Sequence, residues 1–283
     1  MLQYIFLVPL ITFISYQSLN LIQNWMMFKP IQLDSNKDLK LNNLELELKK
    51  SINKNIKISS FFLKTKDKNL IHCVYLNNPY KKGCILYAHG NYGNITHRFN
   101  MLKILGKVSS IIIFDYRGYG KSSGIPSVEG FYDDIETVWN YLIINRQIKP
   151  YKITIYGTSI GCGPSSYLCA KLYEKKISPY ALVLESGFSS IRDMAYDMIP
   201  RNMVNILVKD DFNNETNIRK INNLPILISH STYDEVIPFK HALKLYKYKI
   251  KNPKIKLFKL EGFHGTPNYS NQYMNIFKRF VYE

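Results

Sequence analysis

Residues 153–163, ITIYGTSIGCG, run from a β-branched apolar strand through Gly157-Thr158-Ser159-Ile160-Gly161 into a helical segment. Small residues at 157 and 161 are what a sharp strand-to-helix turn demands, because any larger neighbour of the serine would clash there. Such a turn holds Ser159 at a strand end, beside the N–H groups and the positive dipole end of the following helix. Pro164 is tolerated in the first turn of that helix. A five-residue pattern also arises by chance, so the reading of Ser159 as a nucleophile requires a base, an orienting acid and an oxyanion hole elsewhere in the chain.

Upstream, "KISSFFLKT", the turn "KDKN" and "LIHCVYL" read as a β-hairpin. After it, short apolar strands recur: "CILYAH", "SIIIFDY", "ITIYG", "ALVLES", "PILISHS" and "KIKLFKL". The segments between them, such as "VEGFYDDIETVWNYLI" and "FKHALKLYKY", carry apolar residues at helical spacing. This alternation predicts an α/β fold with a mostly parallel central sheet and helices on both faces. Ligands of such sheets bind at the carboxyl ends of the strands. Functional residues are therefore expected immediately after them.

Of the six histidines, His72 reads as mid-strand and His241 as a surface residue of a helix. His264, in "KLEGFHGTP", follows the last long strand and is the candidate base. Asp234, in "PILISHSTYDEVIP", lies just past the preceding strand and is the candidate acid, with Glu185 and Glu235 as alternatives. The oxyanion hole is expected from the N–H of Ile160 and the N–H of Asn91, in the loop His89-Gly90-Asn91-Tyr92-Gly93. His89 is expected to hold that loop by hydrogen bonding. Asp115 and Arg117 read as a hydrogen-bonded pair bracing the neighbouring loop, with binding of a substrate anion as the alternative. Residues 190–222 replace a simple crossover with extra helical matter, predicting a small cap whose underside is Met194, Met198, Ile199, Met203, Ile206 and Leu207.

The ordered set "HGNYGN", "DYRGYGKSSGIPSVEGFYDD", "GTSIGCG", "LESGFSSIRDMA", "HSTYDEVIP" and "GFHG" resembles the α/β-hydrolase superfamily. Within it, the chain is similar to the membrane-anchored bud-emergence-type branch that includes the abhydrolase-domain-thirteen-like proteins. The resemblance spans roughly residues 25–283 and implies a serine hydrolase with Ser159, Asp234 and His264 as triad. Two positions depart from the pattern. Cys162 stands where a small Gly or Ala is usual and could crowd the elbow; Ser231 stands where glycine is usual.

The 28 residues before Lys29 contain no charged side chain. A helix over residues 2–22 is just long enough to cross a bilayer, with Trp25 and Lys29 as interfacial anchors. The domain division is thus an anchor at 1–28 and a hydrolase domain at 29–283. Positive charge lies C-terminal to the apolar stretch, which predicts a single-pass membrane protein with a cytoplasmic catalytic domain. Sequons at Asn94, Asn214 and Asn268 then read as chance matches in an Asn-rich chain.

The chain carries 38 basic and 21 acidic residues, a formal charge of +17. That charge is scattered, as expected from an A/T-rich coding sequence, and no zinc-ligand set, RNA-binding signature or concentrated basic helix accompanies it; nucleic acid is not an expected partner, and an anionic membrane face is the anionic partner left open. The four cysteines show no disulfide spacing. The expected activity is hydrolysis of acyl esters or thioesters at a membrane surface, with no cofactor or metal. A non-catalytic membrane-tethered scaffold in morphogenesis or polarity, or a serine peptidase, are the alternatives.

Overall fold

The computed structural model describes residues 27–33, 40–52, 54–208 and 211–282, together with Asn24. The expected anchor helix over 2–22 lies outside the described residues. Among those described, no helix is long and apolar enough to cross a membrane.

Among the described residues nine strands form one sheet in the order β1-β2-β4-β3-β5-β6-β7-β8-β9. They are β1 (Lys57–Lys64), β2 (Leu70–Asn77), β3 (Cys84–Ala88), β4 (Ser110–Phe114), β5 (Ile153–Thr158), β6 (Ala181–Glu185), β7 (Ile226–Ser231), β8 (Ile255–Phe263) and β9 (Thr266–Asn268). The expected hairpin is present: β1 and β2 pair antiparallel from Lys57↔Asn77 to Lys64↔Leu70. From β4 across β3, β5, β6 and β7 to β8 every pairing is parallel. A short antiparallel hairpin of β8 and β9 closes the far edge.

The helices are α1 (Leu41–Ser51), α2 (Phe99–Gly106), α3 (Val128–Asn140), α4 (Cys162–Glu174), α5 (Ile191–Met198), α6 (Arg201–Leu207), α7 (Asn214–Arg219), α8 (Lys240–Tyr246) and α9 (Asn271–Lys278). Every residue of β3, β4, β6 and β7 is buried. That is why those strands read as continuous apolar runs rather than alternating ones. Alternate residues feed two separate cores. Leu86, Ile112, Ile155 and Leu184 pack with Phe131 of α3 and Leu168 of α4 on one face. On the other, Ile85, Ile111, Tyr156 and Val183 pack with Leu102 of α2 and Phe277 of α9. Neighbouring residues of a strand point to opposite faces, so each strand secures both layers.

Between β6 and β7 the chain makes three short helices, α5 to α7, in the region expected to form a cap. Ser190 caps the first of them by accepting a hydrogen bond from the Asp193 N–H at 2.9 Å. At the other end of the described chain, residues 27–33 lie against the loops at the carboxyl edge of the sheet. Leu33 N–H donates to Gly120 O at 2.7 Å, and Gly120 N–H to Ile31 O at 3.0 Å. Phe28 is buried against Phe131, with ring centroids 4.7 Å apart.

Candidate active site

Ser159 occupies the turn between β5 and α4 with φ 55°, the left-handed region that a serine enters only at a cost. The chain can turn that sharply because both flanking positions are glycine. A Cβ on Gly157 would lie 2.4 Å from Gly161 O, and one on Gly161 would lie 2.1 Å from Ala88 O. Both obstacles are backbone atoms and cannot move aside.

The side chains that the sequence singled out come together here. Ser159 Oγ is 3.0 Å from His264 Nε2. His264 Nδ1 lies 2.8 Å from Asp234 Oδ2 and 3.0 Å from Oδ1. The imidazole reaches Ser159 because it sits in the turn of the β8–β9 hairpin, and Glu235 braces that turn by accepting the His264 backbone N–H at 2.9 Å. Glu235 therefore touches the histidine backbone and not its ring. Asp234 is the acid on the imidazole.

Asp234 is held by more than His264. Its Oδ1 accepts the Val236 and Ile237 N–H groups at 3.0 and 2.7 Å. On the other oxygen, His230 Nε2 stands 3.2 Å away. Because that nitrogen also faces Ile237 O at 2.8 Å, it carries the hydrogen and donates. Burial works to raise the Asp234 pKa, but hydrogen bonds from His230, His264 and the Ile237 N–H outweigh it and hold the carboxyl far below the usual range. The group is ionised whenever His264 needs a counter-charge. His230, four residues before Asp234 at the end of β7, escaped the sequence reading. Its signal was present: a histidine at the carboxyl end of a strand, four residues before the acid.

Glu185, the alternative acid, is occupied differently. The hydroxyls of Tyr156, Tyr269 and Tyr273 donate to it at 2.7, 2.7 and 3.1 Å. Complete burial raises its pKa, with the tyrosine hydrogen bonds opposing. Since Tyr269 directly follows β9, this cluster ties the histidine-bearing hairpin to the centre of the sheet.

Cys162 does not crowd the turn. Its thiol donates to Gly157 O at 3.2 Å and faces Glu185 O at 3.5 Å. Room exists because residue 187 is glycine: a Cβ there would stand 2.7 Å from the sulfur. Burial pushes the thiol pKa well above its ordinary value, so the sulfur is an inert packing group. All four cysteines are free and buried.

Asn91 and Ile160 both line the cavity beside Ser159. The loop of Asn91 passes close, since a Cβ on Gly90 would be 3.5 Å from Ser159 Cβ. His89 holds this loop as expected, through a hydrogen bond from Nδ1 to Gly90 O at 2.7 Å. The Asn91 side chain does something sequence reading did not foresee. It donates to Met27 O at 2.7 Å and accepts from the Lys29 N–H at 3.0 Å and the Tyr119 hydroxyl at 2.7 Å.

Three expectations need correction. Asp115 and Arg117 do not pair with each other. Asp115 receives His72 Nδ1 at 3.1 Å and the Ile95 N–H at 2.8 Å, whereas Arg117 binds Asp134 at 2.9 Å and Asp67 at 2.7 Å. The chain turns at Arg117 just beyond β4, which carries its side chain away from Asp115. His241 is buried, not superficial, and lies between Ser189 Oγ at 2.8 Å and Asp197 at 3.2 Å. Of the six apolar cap residues, Met194, Met198, Ile199 and Leu207 line the cavity, while Met203 and Ile206 face outward from α6.

The cavity has a volume of about 980 Å³. Phe188, Ile191, Met194 and Leu207 form its cap side, and Met101 and Ile104 its α2 side. Among the described residues no group of three or more His, Cys, Asp or Glu side chains could hold a metal ion.

Residues 83–201 match the alpha/beta hydrolase fold family. Alpha/beta hydrolase domain-containing protein 17B of Homo sapiens is 34% identical over 227 residues, covering 79% of this chain and 75% of that protein. The chain belongs to the α/β-hydrolase family. Protein bem46 of Schizosaccharomyces pombe, 32% identical over 191 residues and covering 65% of this chain and 63% of its own, bears out the bud-emergence-type resemblance. An uncharacterized protein, R595, of Acanthamoeba polyphaga mimivirus is 32% identical over 232 residues, 77% of this chain and 79% of its own. An esterase of Pyrococcus furiosus has the same fold, with a TM-score of 0.66 at 18% identity over 90% of this chain and 97% of that one. So has an α/β hydrolase of Vibrio vulnificus, with a TM-score of 0.67 at 20% identity over 88% and 94%.

Proposed function

We propose that this α/β hydrolase is a membrane-tethered serine hydrolase that cleaves acyl esters or thioesters. The observation that carries this reading is the continuous hydrogen-bonded chain Ser159–His264–Asp234 on the wall of a large, mainly apolar cavity. An apolar wall excludes water from a charged transition state and matches a hydrocarbon chain.

In the first half-reaction Ser159 Oγ bonds to the acyl carbonyl carbon while its proton passes to His264 Nε2. Asp234 holds the imidazole with Nδ1–H toward itself and balances the imidazolium. The carbonyl oxygen becomes an oxyanion, to which the N–H groups of Asn91 and Ile160 donate. Each such donor contributes about 3–4 kcal/mol in a preorganised hole. Collapse breaks the bond to the alcohol or thiol, which takes the proton from His264. A water then gives its proton to His264, attacks the Ser159 ester and releases the carboxylic acid, restoring the hydroxyl.

The tether is residues 2–22, whose apolar length suits one bilayer crossing. A cytoplasmic catalytic domain accords with the burial of Asn94 and Asn214, whose side-chain amides donate to Ile31 O at 3.1 Å and Phe188 O at 2.7 Å. Neither sequon can carry a glycan in this fold.

The test is labelling with a fluorophosphonate probe, with acyl release measured in parallel. Wild type reacts and Ser159→Ala does not. An unreactive wild type sinks the enzyme reading and leaves the scaffold.

A further inference from the structure

We propose that the mouth of the cavity is docked on the surface of a phospholipid bilayer containing anionic lipid, so that the acyl chain enters from the membrane without crossing water. This inference rests on the acyl-hydrolase reading above, and deepens it by assigning the face on which the substrate arrives.

Two independent observations converge on that face. The first is where the described chain begins. Met27 and Lys29 line the cavity. They are stapled there by the Asn91 side chain, which bonds Met27 O and the Lys29 N–H from within the loop beside Ser159. Burial of Phe28 and the bridge of Pro30 to Gly93 secure the same junction. The apolar run ends at Ile22, five residues before Met27. Extended chain spans at most about 3.6 Å per residue, so the end of that run lies within about 18 Å of the cavity wall. A membrane holding this segment is therefore tethered within that distance of the mouth.

The second observation is where exposed apolar side chains gather. Met198 is 79% exposed although it lines the cavity, and Tyr92 and Val236 are likewise both cavity-lining and exposed. Such residues form the rim. Met203 and Ile206 project to solvent from α6, whose Leu207 lines the cavity. Tyr233 and Phe263, each next in sequence to Asp234 or His264, are exposed as well. Contiguous exposed apolar groups mark an interaction surface. Lys29 and Arg98 bring positive charge to the same mouth, and Arg201 begins α6. An apolar rim set among cations suits insertion about 5–10 Å into an anionic headgroup layer.

The experiment uses the full chain reconstituted in phosphatidylcholine–phosphatidylserine vesicles. Single cysteines introduced as Ile206→Cys, Tyr233→Cys and, as a control, Ile250→Cys carry an environment-sensitive fluorophore; the native cysteines are all buried. Ile250 is 93% exposed and lines no part of the cavity. The labels at 206 and 233 should shift to the blue and be quenched by lipids spin-labelled at shallow depth, while the label at 250 stays in water. Labels at 206 and 233 as wet as that at 250 overturn the proposal. A second arm replaces Met203→Glu and Ile206→Glu together. Fluorophosphonate labelling in detergent should remain within about twofold, and turnover of a vesicle-borne long-chain thioester should fall at least about tenfold. Equal turnover of that substrate by wild type and variant also overturns it. If Ser159 is never labelled, the hydrolase reading fails, yet the fluorophore positions still decide whether this face meets the bilayer.

Discussion

Gly187→Ala tests whether the turn carrying Ser159 is as tightly built as its geometry implies. A Cβ at 187 would stand 2.7 Å from Cys162 Sγ and 3.0 Å from Cys162 Cβ. Ordinary contacts begin near 3.4 Å, so the sulfur must move by most of an ångström, and it is fully buried with nowhere to go. Overpacking of this kind costs about 1–3 kcal/mol. Cys162→Ala alone removes one buried atom and two weak hydrogen bonds, at roughly 1 kcal/mol. In the double variant the new methyl occupies the space the sulfur vacated, so the two changes should cancel in part. Their coupling is expected at about 1–3 kcal/mol in favour of the double variant. Thermal unfolding reads this directly, at about 2–4 °C per kcal/mol for a chain of this size. Because Cys162 opens α4 three residues after Ser159, the rate of fluorophosphonate labelling should fall in Gly187→Ala and recover in the double variant. Additive losses, within about 0.5 kcal/mol, would show that the sulfur and residue 187 do not share one space and would refute the reasoning.

Asp234→Asn should leave the fold intact and reduce kcat/KM on a soluble ester by about 10³–10⁴, since the amide favours the wrong imidazole tautomer; a loss under tenfold would return Glu185 or Glu235 to the role. His230→Ala removes one donor from Asp234. A carboxyl with a depressed folded-state pKa contributes stability that is present above its ordinary value of 3.8 and is lost as pH falls below it. The stability gap between wild type and His230→Ala should therefore be full at neutral pH and narrow below about 3.8, measured by chemical denaturation across that range. Glu185 runs the other way. Its raised pKa favours folding below its ordinary value of 4.5, and that contribution is lost as pH rises through the folded-state value. Glu185→Gln should accordingly gain on wild type as pH rises from 4.5, and a gain confined to acid pH would contradict the assignment.

Much of this fold is written in local pattern. The strands from Cys84 to Ser231 are legible because buried parallel strands must be apolar on both faces, and the segments between them because helices repeat their apolar face at a different period. The positions of Ser159, Asp234 and His264 could be read for the same reason: each follows a recognisable strand, and a parallel sheet gathers those ends along one edge. The glycines at 157 and 161 were legible as the small residues of a sharp turn, while the reason at 161 is tertiary: a Cβ there would meet Ala88 O at 2.1 Å.

What escaped local pattern, outside the triad, is which polar groups meet once the elements pack. Asp115 and Arg117 look like neighbours, yet tertiary packing sends one to His72 and the other to Asp134. Cys162 looked obstructive because nothing nearby reveals that Gly187 lies against it. The hold of His230 on Asp234 and the Asn91 staple on residues 27–29 are decided where loops meet above the sheet. Spacing along the chain reports which face a residue presents, because that follows from the geometry of one element. Which group it then meets depends on how several elements pack, and a polar contact has no period to betray it.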